Sequence, residues 1–312
     1  MSLKDLNPHH LRLVSTYATR YAVRGGTGLV FLLVVLTFGL LAAGAIITPV
    51  EDWKREEEKR TGNDIPMATY VSRLIDQARP AIEWAVGDPQ AEASYADSGQ
   101  TEEVREWARY LLDKRPALLS AVLLILVFAM PFLVVTGAFN QYSGDVATRG
   151  IRYQLLRTER ANIYFGRFLG TVLYSALTMA LLVLTIVLYM ALRLDIYSWG
   201  ELLLWGLWGF LGLTVVCMPY VALCGWISGA IDSAFGSLTI SGIIVGGVPL
   251  FALIGRWAWE PAGYVNYLLP WGLQNNLLHF RFTTVALAVL ACLGYTAFFL
   301  AVGYRHFAKR DL

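Results

Sequence analysis

Apolar residues run along this chain in six stretches, separated by polar segments of very unequal length. The first, 27–47, is uncharged and about twenty residues long, enough for a helix to cross ~30 Å of hydrocarbon. Five more follow at approximately 117–139, 168–192, 202–227, 235–254 and 284–304. The pattern predicts an all-α membrane protein with six transmembrane helices, occupying 27–47 and 117–304. A signal peptide is the competing reading of the first stretch, because Ala42-Ala43-Gly44-Ala45 is a cluster of small residues. The stretch is longer than the apolar core of such a signal and the segment before it is unusually long, so a retained span is expected. Pro131, Pro219 and Pro249 fall inside three spans and are expected to kink them. The small-residue pairs Gly225/Gly229 and Gly242/Gly246, and the series Gly206, Gly209 and Gly212, permit close helix approach. They mark helix packing or a seam with a second copy.

The polar segments have patterns of their own. Over 1–26 basic residues outnumber acidic ones, and Leu11, Val14, Tyr17, Ala18 and Tyr21 recur at helical spacing. An amphipathic helix on the membrane surface is expected there. His9 and His10 have no further ligand residue nearby in the sequence and read as surface. Segment 48–116 is net acidic. Thr48, Pro49 and Glu51 resemble a helix start with a capping box. Val71, Leu74, Ala78, Ile82 and Ala85 predict a second helix interrupted by Pro80, and Val104, Trp107, Ala108 and Leu111 predict a third over 101–115. About seventy residues without structure would be out of keeping with a compact protein, so a helical extracytoplasmic cap is expected. Segment 140–167 carries five arginines, Arg149, Arg152, Arg157, Arg160 and Arg167, between two long apolar stretches. The tail, 305–312, is basic as well.

Composition strengthens the membrane assignment. Of 312 residues, 56% are hydrophobic and 15% charged, and the mean hydropathy is +0.52. The net charge of +2 is not pooled on one soluble domain and gives no reason to expect nucleic acid. Cys217, Cys224 and Cys292 lie in apolar stretches and read as small apolar filler, with no disulfide or metal-ligand spacing. An even number of spans puts both termini on the side of the arginine segment. The positive-inside rule makes that side cytoplasmic and the insertion extracytoplasmic. Trp199, Trp205, Trp257, Trp259 and Trp271 fall near the opposite boundary, where an aromatic belt is expected.

The predicted spans contain no Asp, Glu, Lys, Arg or His in their interiors. Ion-coupled transport, redox function and voltage sensing call for such residues at depth. Histidine or cysteine placed for haem is also missing. Neither a His-Glu-x-x-His nor a Gly-x-Ser-x-Gly motif is present, and no phosphate loop, so the chain reads as no enzyme and binds no ATP of its own. Uphill work would require energy from a partner, and the arginine segment is the expected contact.

Residues 143–170 carry a specific resemblance. Ser143-Gly144-Asp145-Val146-Ala147-Thr148-Arg149-Gly150-Ile151, then Gln154-Leu155-Leu156-Arg157-Thr158-Glu159-Arg160, then Ile163-Tyr164-Phe165-Gly166-Arg167-Phe168-Leu169-Gly170 resembles the membrane subunit of type-2 ABC transporters. In that family an acidic residue precedes a basic-Gly pair. A leucine pair, a basic residue and a Gly-Lys/Arg-Phe-Leu-Gly start to the third span follow. The ending Lys309-Arg310-Asp311-Leu312 is similar to the family's basic-Asp ending. The layout matches end to end, the specific residues only in these two places. Asp145 stands where Glu is commoner, which keeps the charge, and Ile151 stands where Thr is usual.

The resemblance implies a permease subunit that pairs with a second copy or paralogue and docks separate ATPase subunits, which bind ATP and Mg. Segment 140–167 would be the coupling helix, 1–26 the connecting helix, and 263–278 a short re-entrant hairpin. From the residues alone, Arg149 and Arg152, and Arg157 and Arg160, share helix faces by spacing. Thr158 is placed to cap the third span's helix, with Glu159 in its first turn. Val146, Ile151 and Leu155 offer a partner apolar surface. The competing role for these arginines is anchorage to anionic membrane lipid, ~1 kcal/mol each. Asp145, Arg149, Arg152, Arg157, Glu159 and Arg160 are the expected ATPase contacts. The function expected is the permease of an ATP-driven exporter in a bacterial inner membrane. The alternative is an ATPase-coupled subunit that transmits force to a periplasmic or envelope protein through 48–116.

Overall fold

Asn7 starts the first helix: its side chain accepts the His9 amide N–H at 3.0 Å, and Pro8 supplies a preset φ at the first helical position. The computed structural model describes residues 6–61, 99–194 and 196–310. Those residues are predominantly helical and contain no strand. Helix α1 (Pro8–Arg24) ends at Gly25, and α2 (Gly26–Thr61) begins at once. Then come α3 (Gly99–Asp113), α4 (Ala117–Ala138), the short α5 (Ser143–Ala147) and α6 (Gly150–Leu155), α7 (Arg160–Arg193), α8 (Trp199–Ala230) and α9 (Ala234–Ala258). Short 3₁₀ helices at Glu260–Leu268, Pro270–Gly272 and Gln274–Leu278 lead to α10 (Phe282–Lys309).

Helices α2, α4, α7, α8, α9 and α10 are each long and apolar enough to cross a membrane, which makes the chain a multi-pass integral membrane protein. Of these, α4 and α8 are the most enclosed by the rest of the protein and α9 the least. The small residues of α8 are used inside the bundle. Gly206 faces Val183 and Val187 of α7, Gly209 faces Leu123 of α4, Gly225 faces Gln141 and Tyr142, and Gly229 faces Phe307 of α10. On α9, Gly246 meets Phe132, while Gly242 opens onto a groove lined by Val135, Leu238, Thr239, Ile243 and Leu250. The three cysteines are buried and unpaired.

Several local expectations change. No helix starts at Thr48: α2 runs through Pro49 without a break. Ile47 and Val50 on either side are fully buried against the core, and that packing outweighs the backbone hydrogen bond that proline lacks. The helix predicted around 71–85 lies outside the described residues. Trp205 and Trp271 do not join an aromatic belt: both are buried, their indole N–H groups donating to Ser120 Oγ (3.0 Å) and the Val245 carbonyl (3.2 Å). Trp199 and Trp259 are exposed as a belt requires. The 260–278 segment, where a short re-entrant hairpin is expected over 263–278, is a chain of 3₁₀ turns, because Pro261, Gly263, Pro270 and Gly272 interrupt any longer helix.

The stripe foreseen on α1 divides in two. Leu11, Val14, Ser15, Ala18 and Ala22 turn inward, whereas Tyr17 and Tyr21 stack on each other in the open beside Leu13. The inner face lies on α7 at Gly166 and Gly170. A Cβ at Gly170 would stand 2.6 Å from Ala18 Cβ and 2.8 Å from the Ser15 carbonyl oxygen. Only glycine permits so close a crossing.

Candidate functional site

The arginine segment is tied to the bundle by a residue in the next helix. Helix α7 begins at Arg160, roughly two turns before the uninterrupted apolar run. Arg167 therefore belongs to the third spanning helix and, at 9% exposure, is buried. Its guanidinium reaches back across the segment. Nη1 donates to the Gln141 carbonyl (2.6 Å), and Nη2 donates to Gln154 Oε1 (2.9 Å) and pairs with the Asp145 carboxylate. One planar fork thus holds the end of α4, α5 and α6 to α7. Around it Tyr142, Ile151, Ile163, Tyr164 and Phe307 form a small separate core, with Tyr142 and Tyr164 stacked 5.2 Å apart.

The tail joins the same platform. Arg160 Nη1 donates to the carbonyls of Ala308 (2.6 Å) and Arg310 (2.9 Å). Arg310 donates to the Gly229 carbonyl (2.5 Å) and pairs with Asp232 in the α8–α9 connection. At the start of α7, Thr158 Oγ1 accepts from Asn162 Nδ2 (3.2 Å) and lies 3.1 Å from His10 Nδ1, while Asn162 Oδ1 accepts the Asn7 amide N–H (3.1 Å). His10, read from sequence as surface, helps tie α1 to α7.

The candidate contacts therefore divide. Asp145 and Arg160 face inward partners, whereas Arg149, Arg152, Arg157 and Glu159 are exposed. The helix-face pairing of the arginines is not seen. Arg149 sits outside α6 with φ 56°, in the left-handed region, and Arg157 lies in the turn before α7. Glu159, not Thr158, holds the N-cap position of α7. Ile151 is buried and Val146 and Leu155 pack beside it, so the apolar set foreseen for a partner is consumed internally. What stands out instead is Tyr153 at 73% and Leu156 at 84% exposure, between Arg152 and Arg157. Replacing Arg149 by glycine removes the left-handed penalty and should stabilise the fold by about 1 kcal/mol. Thermal unfolding of Arg149→Gly against Arg149→Ala, which keeps the penalty, checks this.

At the other end of the bundle α3 is fastened to the approach to α10. Trp107 Nε1 donates to the Leu278 carbonyl (3.1 Å), and its ring meets that of His279 at 4.7 Å. Glu103 binds Arg281 at 2.7 Å and faces His279 Nε2 at 3.8 Å. His279 Nδ1 accepts the Arg281 amide N–H (3.0 Å), which puts the neutral ring's proton on Nε2. Burial holds this imidazole below the usual histidine range; Glu103 and Glu106 oppose that shift and Arg281 reinforces it. Between its usual and its lowered pKa the ring binds more protons when freed than when docked. The docking is therefore complete above about pH 6.5 and weakens as pH falls, by at most ~1.4 kcal/mol per unit. Amide exchange over α3 should rise on acidification in the wild type and show a flattened response in His279→Gln.

Among the described residues no three His, Cys, Asp or Glu side chains come together as a metal ion would need. No protein-family model matches the chain, and no curated protein matches it.

Proposed function

We propose that the chain is the permease subunit of an ATP-driven exporter of the type-2 ABC transporter kind, forming the translocation pathway and powered by separate ATPase subunits that bind ATP and Mg. The observation that carries this reading is the exposed surface of Arg149, Arg152, Tyr153, Leu156, Arg157 and Glu159. It mixes charge with apolar area, as a protein contact requires. The segment bearing it is locked by Arg167, Arg160 and Arg310 to the ends of α4, α7, α8 and α10. Pressure on it would therefore be passed to several spans together. With the arginine end cytoplasmic by the positive-inside rule, a bacterial inner membrane and a paired second copy or paralogue complete the assembly.

A second reading has an observation of its own: a subunit that conveys force to an envelope partner. Helix α2 continues past the membrane to Thr61, and α3 is clamped to the 278–281 connection, so motion of the bundle reaches the insertion.

The test is co-purification with an ATP-hydrolysing partner in lipid discs. Arg149→Glu, Arg152→Glu and Leu156→Ser together should weaken association by roughly thirtyfold, the equivalent of ~2 kcal/mol. Unchanged association would overturn the docking surface, and the lack of any ATPase partner would overturn the transporter reading. Under the force-conveying reading, Trp107→Ala keeps ATPase binding but loses partner-dependent activity.

A further inference from the structure

A cleft of about 620 Å³ opens where α1 meets the start of α7, lined by Asn7, His10, Leu155, Arg157, Thr158, Glu159, Arg160 and Asn162. Its floor is already organised, because Asn7, His10, Thr158 and Asn162 satisfy one another. Its cations are not all used in that network. The Arg157 side chain is exposed and its guanidinium makes no hydrogen bond or ion pair among the described residues, in contrast to that of Arg160, which has one terminal nitrogen on the tail carbonyls. His10 uses Nδ1 toward Thr158 and keeps Nε2 for another group.

We propose that this cleft binds a phosphate-ester anion, with Arg157 as the charged ligand, His10 Nε2 and Arg160 as supporting donors, and the membrane as its source through the headgroup of an anionic phospholipid. Arginine matches phosphate because its fork can meet two oxygens at once. The lipid origin follows from what adjoins the cleft. His10, Tyr17 and Tyr21 follow one stripe along α1. The two tyrosines, with Leu13, are exposed apolar surface at the end of a membrane-spanning bundle. A headgroup in the cleft would let its chains lie along that stripe. Basic clefts between helices at the arginine-rich face of a membrane protein suit such headgroups. Glu159 also lines the cleft and opposes an anion, which gives the proposal a prediction of opposite sign.

The cleft shares Arg157 and Glu159 with the proposed ATPase surface, so its test is run with no ATPase present. The purified full chain in neutral detergent is titrated with short-chain phosphatidylglycerol, phosphatidylcholine or inorganic phosphate, following thermal unfolding and bound lipid by native mass spectrometry. Phosphatidylglycerol should raise the unfolding temperature and phosphatidylcholine should not. Arg157→Gln should weaken apparent binding of phosphatidylglycerol at least tenfold, and His10→Ala less. Glu159→Gln should strengthen it. Both Arg157 and Glu159 are exposed, so these variants keep the fold. Equal binding of the two lipids, or undiminished binding by Arg157→Gln, would overturn the site. Inorganic phosphate that reproduces the shift and displaces the lipid would overturn the membrane as the source.

Discussion

Arg167→Met is expected to release the arginine segment from the bundle while leaving the six spanning helices assembled. Methionine keeps the apolar stem but removes every contact of the fork: the Gln141 carbonyl, Gln154 Oε1 and the Asp145 carboxylate lose their donor together. Removing one partner of a buried pair costs about 3–5 kcal/mol, and the partial exposure of Asp145 (39% of its side chain) lowers this to about 2–4 kcal/mol. Hydrogen exchange over 143–156 should quicken by two orders of magnitude or so, with α8 unchanged. Asp145→Asn should show a smaller loss, and the double variant should cost less than the sum, since the pair shares one interaction. Unchanged exchange in Arg167→Met would show that the small core around Tyr142 and Phe307 holds the segment unaided. Where an ATPase partner is bound, coupling should fail in this variant although every exposed contact residue is intact.

The second large effect is expected at Gly170. A leucine there collides with Ala18 and with the backbone of Ser15, which a rotamer change cannot relieve, since backbone is the obstacle. Overpacking of this kind costs about 1–3 kcal/mol for a modest side chain and more for a branched one. The result should be detachment of α1, read as protease cleavage near Gly25, and loss of the cleft that α1 completes. Gly170→Ala should lie between. Retention of a protected α1 in Gly170→Leu would mean that the polar contacts of Asn7, His10 and Thr19 suffice to hold it.

The spanning helices were legible because hydrocarbon imposes one strong rule, a long apolar stretch, and all six obey it. The arginine segment was legible as a concentration of charge but not as an arrangement. Arg160 and Arg167 have the same side chain as Arg152 and Arg157, yet two turn inward and two outward. That division depends on carbonyls from residues 141, 308 and 310, which have no side-chain signature. The left-handed Arg149 broke the helical spacing on which the pairing of the arginines was based. The inward turn of Ile151 likewise follows from Tyr142, Tyr164 and Phe307, the last of them far away in the sequence. Gly166 and Gly170 were a fair signal of close packing, and their spacing of four could have predicted a helix laid on α7. Which helix was a tertiary fact.

Helix α2 has one more consequence. Its 36 residues extend for about 54 Å, against ~30 Å of hydrocarbon, so close to half of it stands clear of the membrane core. Pro49 lies near the point of emergence, where the missing hydrogen bond makes bending cheapest. A tilt of about 10° there would carry Thr61 sideways by roughly 3 Å, given its ~18 Å distance along the axis. The first span is in this sense a lever, with its fulcrum at the membrane boundary and its short arm reaching toward whatever lies beyond.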